Sequence, residues 1–141
     1  MRQDLAMQKL LVVGSVGCYL ASFFLLAYAT PGSTSSEHLG LEAFLLGVPG
    51  LFSGHVAWLA NLALWVSWTR NRTQAALASA AAVLATCVAL SFLAYSEVPV
   101  GDAGMVHFAV GPGYWLWVAS MAIAALAPLT SRFASQEDVD P

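Results

Sequence analysis

The stretch HVAWLANLALWVSW, residues 55–68, sets His55, Trp58 and Asn61 within otherwise apolar sequence. An imidazole in such a place can ligate a metal or haem or share a proton with a quinone head, and a carboxamide can grip a polar ligand group. At about 100° per residue, Gly54, Ala57, Trp58, Asn61, Trp65 and Trp68 fall on one helical face, within about 60° of Asn61. Counted at 1.5 Å per residue from Gly50, Asn61 stands roughly 16 Å inside the apolar run. A buried amide at that depth is costly without a partner. The first expectation is an interhelical hydrogen bond to Tyr19, Ser22, Thr86 or Ser120; a ligand contact or a polar permeation path is the sharper alternative. His55 is likewise read first as a packing residue. Haem ligation by two histidines requires a second one at similar depth, whereas His38 and His107 both fall in loops.

Those loops pose a second possibility. His38 and Glu42, four residues apart on an expected short helix, would carry N and O ligands toward Glu97, Asp102 or His107, a set suited to zinc or a similar divalent ion. The spacing matches no established ligand signature, so solvated loop residues are the default and no metal is assigned. No nucleophile elbow, phosphate loop, paired-histidine metalloprotease motif or intramembrane acid pair is present. The apolar spans hold no carboxylate or lysine of the kind a coupled transporter buries. No catalysis, no cofactor and no nucleic-acid partner are expected.

The elements that must position these residues follow from composition. Of 141 residues, 59% are hydrophobic and 9% charged, and the mean hydropathy is +0.72, values that suit a bilayer better than water. Four windows, residues 10–29, 50–68, 75–95 and 112–130, approach the roughly 20 apolar residues a spanning helix needs. Arg2, Lys9, Arg70, Arg72 and Arg132 all flank the same ends of these windows, while Glu37, Glu42, Glu97 and Asp102 lie at the opposite ends. The positive-inside rule then places both termini and the Arg70/Arg72 turn in the cytoplasm. A signal peptide competes for the first window, with Arg2 and Lys9 as its basic region and AYA, residues 27–29, as a cleavage site. The apolar run exceeds the roughly 7–15 residues of a signal core, so an uncleaved helix is expected.

Small residues dominate two of the windows. Gly14, Cys18 and Ser22 recur at four-residue steps in the first. Ala78, Ala82 and Thr86 form one stripe of the third, beside Ala81, Ala85 and Ala89. Such faces let helix backbones approach closely, within the chain or against a partner. Cys18 and Cys87 read as small apolar residues rather than a redox pair. Thr34 and Glu37 fit a capping box, predicting a short interfacial helix over 35–48 that ends at Pro49 and Gly50; one long helix bent at Pro49 is the alternative. Residues 96–111 form a loop long enough to be ordered over the outer mouth, and Pro112 is placed to open the last helix. Tyr28, Tyr95, Tyr114, Trp115 and Trp117 at the outer ends, with Trp65 and Trp68 at the inner end, read as interfacial belts. Residues 133–141 read as a polar tail.

The segments AWLANLALWVSW, residues 57–68, and GPGYWLWVAS, residues 111–120, resemble motifs of small, uncharacterised bacterial inner-membrane proteins with four predicted helices. The resemblance implies a multi-pass inner-membrane location and supplies no activity. In such proteins a proline often follows the asparagine; Leu62 stands there in this chain, so no kink is carried over. The expectation is therefore an all-α, polytopic four-transmembrane-helix bundle, residues 1–132, with both termini inside and an outer cap from residues 30–49 and 96–111. Its leading role is a non-catalytic accessory or interaction subunit, binding a membrane-protein partner or a second copy through its small-residue faces. The second role is a membrane ligand-binding protein for a lipid, quinone or metal around His55, Trp58, Asn61 and Tyr19. A passive pore would need a continuous polar stripe that the sequence lacks.

Overall fold

A computed structural model describes residues 2–30, 36–52, 54–71, 73–95, 97–99 and 105–130. Helices dominate. They are α1 (Arg2–Ser22), α2 (Gly40–Phe52), α3 (Leu59–Arg70), α4 (Ala75–Leu90) and α5 (Pro112–Leu126), with 3-10 turns at Val56–Trp58 and Ser91–Ala94. Five short strands join them: β1 (Leu26–Thr30), β2 (Ser36–Leu39), β3 (Glu97–Pro99), β4 (Met105–His107) and β5 (Ala109–Val110). Among the described residues two helical stretches, Leu5–Ser22 and Ala75–Ala94, are long and apolar enough to cross a membrane; α2 and α5 are apolar but shorter.

α1 packs on α5, α5 on α4 and α4 on α3. Alanine makes the close approach on α4 possible: Ala78, Ala82, Ala85 and Ala89 are fully buried, a single seam at alternating steps of four and three that draws from both of the stripes visible in the sequence. Thr86 lies beside this seam, its hydroxyl donating to the Ala82 carbonyl at 2.9 Å. On α1 the buried positions are Gln8, Ser15, Tyr19 and Ser22. Ser15 donates to the Ser120 carbonyl on α5 at 2.7 Å and accepts from the Trp68 indole on α3 at 3.0 Å, joining three helices at one hydroxyl. Gly14 does not share this seam. It faces outward, and a Cβ there would meet nothing within 4 Å, because the α1 surface that meets α5 is the Ser15 side.

Polarity is inverted relative to a water-soluble bundle. Ser15, Asn61, Ser67 and Ser120 are buried, while Leu10 and Val13 on α1, Leu45 and Phe52 on α2, Val83 and Leu84 on α4, and Trp115 and Leu126 on α5 are exposed.

The two outer connections, expected as loop and helix, form strands. β2, β1 and β5 make an antiparallel sheet with β1 central; Tyr28 pairs with His38 on one side and with Val110 on the other. β3 and β4 form a separate hairpin in which Glu97 pairs with His107. The capping box does not form. Thr34 lies outside the described residues and Glu37 belongs to β2, so the helix starts only at Gly40. The turn after α1 receives that start: the amides of Gly40 and Leu41 donate to the carbonyls of Leu25 and Phe23 at 2.9 and 3.1 Å, satisfying two N–H groups that a helix end leaves open.

Backbone crowding at this turn explains its glycines. A Cβ on Gly40 would strike the Ser22 carbonyl, and one on Gly113 would stand 2.7 Å from the Leu25 carbonyl. Gly111 donates its amide to the Ala27 carbonyl at 2.7 Å. Pro112 then opens α5 as expected, pre-set in φ and needing no donor.

Candidate functional site

Helix α2 forms one wall of a cavity of about 320 Å3 between itself and the outer half of the bundle. The reason lies in its own sequence. Gly40, Ala43, Gly47 and Gly50 recur at steps of three, four and three along the side of α2 that borders the cavity, where Phe44, Leu46 and Pro49 supply the larger side chains. Its opposite face carries Leu41, Leu45, Val48 and Phe52, all exposed, Phe52 at 92%. Pro49 is accommodated inside α2, and the chain breaks later, where Gly54 adopts φ +86. A left-handed residue at that point turns the chain from α2 into α3, and glycine takes this conformation without the penalty a Cβ imposes.

Three of the polar residues singled out in the sequence line this cavity. His55 follows the break, and its ring lies 4.8 Å from that of Tyr95, whose hydroxyl donates to the Gly54 carbonyl at 3.0 Å. Both imidazole nitrogens of His55 are buried and have no hydrogen-bond partner among the described residues. Trp58 donates its indole N–H to the Phe44 carbonyl at 3.0 Å, tying the 3-10 turn to α2, and its ring occupies the space that Gly47 leaves free. Asn61, 2% exposed, donates to the Trp58 carbonyl at 3.0 Å and accepts the indole N–H of Trp117 at 2.9 Å.

The interhelical partner of Asn61 is thus Trp117, in place of Tyr19, Ser22, Thr86 or Ser120. Ser22, Thr86 and Ser120 instead satisfy carbonyls on their own helices. Tyr19 lies deeper than the cavity, edge-on to Phe23 and Trp68 at centroid distances of 5.0 and 5.3 Å. Its hydroxyl is buried against the Trp65 side chain without a well-formed hydrogen bond.

Several aromatics expected as interfacial anchors turn inward. Trp117 serves Asn61, Trp68 serves Ser15, and Tyr114, 5% exposed, donates to the Ala89 carbonyl on α4 at 2.9 Å. Trp115 does face outward, and so does Trp65 in part. With Phe23, Tyr28, Phe44, Trp58 and Phe92, the inward rings of Tyr114 and Trp117 make the cavity walls largely aromatic. Among the described residues no Asp, Glu, Lys or Arg side chain lines it.

The outer acidic and histidine residues do not converge. His38 Nδ1 lies 2.9 Å from Glu42 Oε1, and the ring stacks on Tyr28 at 4.6 Å. His107 Nε2 lies 3.6 Å from Glu97 Oε1 across the β3–β4 hairpin. These are two separate pairs, because His38 belongs to the sheet and His107 to the hairpin. Asp102 lies outside the described residues, and no group of three or more potential metal ligands gathers among the described ones. Tyr28 borders both the sheet and the cavity; burial, and then the Glu42 carboxylate, raise its pKa above the ordinary 10. Cys18 and Cys87 are free.

The residues that sequence reasoning missed are Trp117 as the Asn61 partner and the glycine face of α2. The second had a visible signal, since the spacing of Gly40, Ala43, Gly47 and Gly50 is helical. It was obscured by reading Pro49 and Gly50 as a helix end. No family model, no curated protein and no solved structure matches the chain.

Proposed function

We propose that the chain is a non-catalytic, multi-pass protein of a bacterial inner membrane that holds a small lipid-soluble ligand in its outer half. The observation that carries this reading is the cavity of about 320 Å3, within the range of small-molecule sites, whose aromatic walls include a histidine with both nitrogens unpartnered among the described residues.

The inverted polarity of the bundle supports the membrane setting. Gln8 on α1 donates to the backbone carbonyl and side-chain oxygen of Asn71 at 3.3 Å, so the α3–α4 turn returns to the end where α1 begins. With α1 and α4 as crossings, α2 and α3 together bring the chain back, and α5 makes the final return. That end carries Lys9 and Arg70, which supports reading it as the cytoplasmic one, with both termini inside.

Native mass spectrometry of the protein released gently from its own membrane tests the reading. A small-molecule mass is expected on the wild-type protomer and absent from Gly50→Leu, whose new side chain starts at ordinary contact distance, 3.7 Å, from His55 Cβ and extends into the cavity. A bare wild-type protomer would sink it.

One observation favours a second reading, an accessory subunit or homo-oligomer. Gly14 and Gly17 stand on an open face of α1 with Leu10 and Val13 exposed beside them. Ala78 and Ala82, by contrast, are already enclosed within the chain. A stoichiometric protein partner lost in Gly14→Ile would favour it.

A further inference from the structure

We infer that the ligand of the outer cavity is a neutral ring bearing carbonyl oxygens, of the benzoquinone or naphthoquinone class, with a carbonyl accepting a hydrogen bond from the His55 imidazole. The inference rests on the ligand-binding reading above and assigns its chemical class.

Charge comes first. Among the described residues the lining holds no lysine, arginine or carboxylate. A phosphate or carboxylate head would leave water with no opposite charge to meet it, a cost of several kcal/mol even after relaxation. A metal ion would find one histidine and no acid. The occupant's head is therefore neutral.

Hydrogen bonding comes second. Trp58, Trp117 and Tyr114 have spent their donors on Phe44, Asn61 and Ala89. His55 has not, since neither nitrogen has a partner among the described residues. Asn61 gives one amide hydrogen to Trp58 and keeps a second. The cavity therefore offers donors to an acceptor-bearing head, whereas a plain hydrocarbon would leave the buried imidazole unpaired. His55 and Asn61 both line the cavity, so an acceptor-bearing head there has two side chains with hydrogen-bonding capacity to meet.

Shape comes third. Phe44, Trp58, Phe92, Tyr114 and Trp117 present ring faces and edges, the surroundings in which a planar conjugated head gains offset or edge-on contacts that a flexible acyl chain does not. The volume of about 320 Å3 admits such a head rather than a whole lipid.

The test titrates the full-length protein in detergent with a benzoquinone carrying a decyl tail and, separately, with decylbenzene, reading bound mass per protomer by native mass spectrometry. The quinone is expected to bind one per protomer and about tenfold more tightly than decylbenzene, the value of one hydrogen bond. His55→Phe keeps a ring against Tyr95 and removes both nitrogens, so it should abolish that difference. His55→Gln, which restores a donor, should recover part of it, and Gly50→Leu should exclude both probes. Thermal melting and gel-filtration profiles establish that each variant is folded.

Equal binding of both probes, unchanged in His55→Phe, would overturn the carbonyl-ring assignment while leaving a ligand cavity in place. Failure of the folded wild-type protein to bind either probe would overturn both the assignment and the reading beneath it.

Discussion

Trp117 on α5 donates its indole N–H to Asn61 Oδ1 on α3 over 2.9 Å, and the same asparagine donates to the Trp58 carbonyl one turn earlier. One amide thus ties the last helix to the turn at which the chain enters α3. Replacing Asn61 with leucine leaves the Trp117 N–H without its acceptor. We expect a loss of about 1–2 kcal/mol, near the upper end for polar contacts between membrane helices. In a double-mutant cycle with Trp117→Phe, thermal melting should show less than the sum of the two single losses. Strict additivity would mean that the contact contributes nothing.

Ser15 on α1 offers a comparable test. Its hydroxyl accepts from Trp68 and donates to the Ser120 carbonyl, so Ser15→Ala removes two hydrogen bonds and leaves a buried indole N–H unpaired. A loss of about 1–3 kcal/mol is expected by chemical denaturation in mixed micelles. Ser91→Ala, which removes only a contact to the Val88 carbonyl three residues earlier, should cost less.

Glycine substitutions should divide by location. Gly113→Ala places a methyl 2.7 Å from the Leu25 carbonyl, against backbone that has no rotamer to yield, and should cost about 1–3 kcal/mol or more. Gly14→Ala meets open space and should be neutral or gain up to about 1 kcal/mol from helix propensity. Equal effects at the two sites would refute the close approach of α5 to the turn after α1.

The outer sheet should weaken in alkali. Burial, with Glu42 second, holds the Tyr28 hydroxyl protonated above the ordinary value of 10. The unfolded chain therefore loses this proton first, and the contribution present below pH 10 declines as pH rises through the folded-state value. Tyr28→Phe should flatten the alkaline limb of the stability profile, and Glu42→Gln should bring tyrosinate absorbance in at lower pH. An unchanged alkaline limb in Tyr28→Phe would count against the assignment.

Much of the helical pattern was legible because it depends on long apolar runs. The onset of α5 at Pro112 and the alanine seam of α4 follow from local spacing. The start of α2 did not, because cross-strand pairing of residues 36–39 with β1 overrode the local capping signal at Thr34 and Glu37. Pairing partners such as Ala29 and Ala109 lie far apart in the chain and leave no periodic trace. At the site, the shared face of Trp58 and Asn61 was readable from helical angle, whereas His55 joins them through the non-helical backbone that follows the break at Gly54. The inward turn of Trp117 was not, since an aromatic near a helix end has the same composition signature whether it meets lipid or an amide.

The clamp of Gly111 and Gly113 on Leu25–Ala27 has a consequence for biogenesis. Tyr114 and Trp117, which complete the cavity, belong to α5, made after α1 to α4, and β5, which closes the sheet, directly precedes it. A nascent chain carrying only α1 to α4 therefore has three sides of a chamber and an unpaired edge on β1. Its final side arrives with α5, so the chamber is complete only once the chain has been made through that helix.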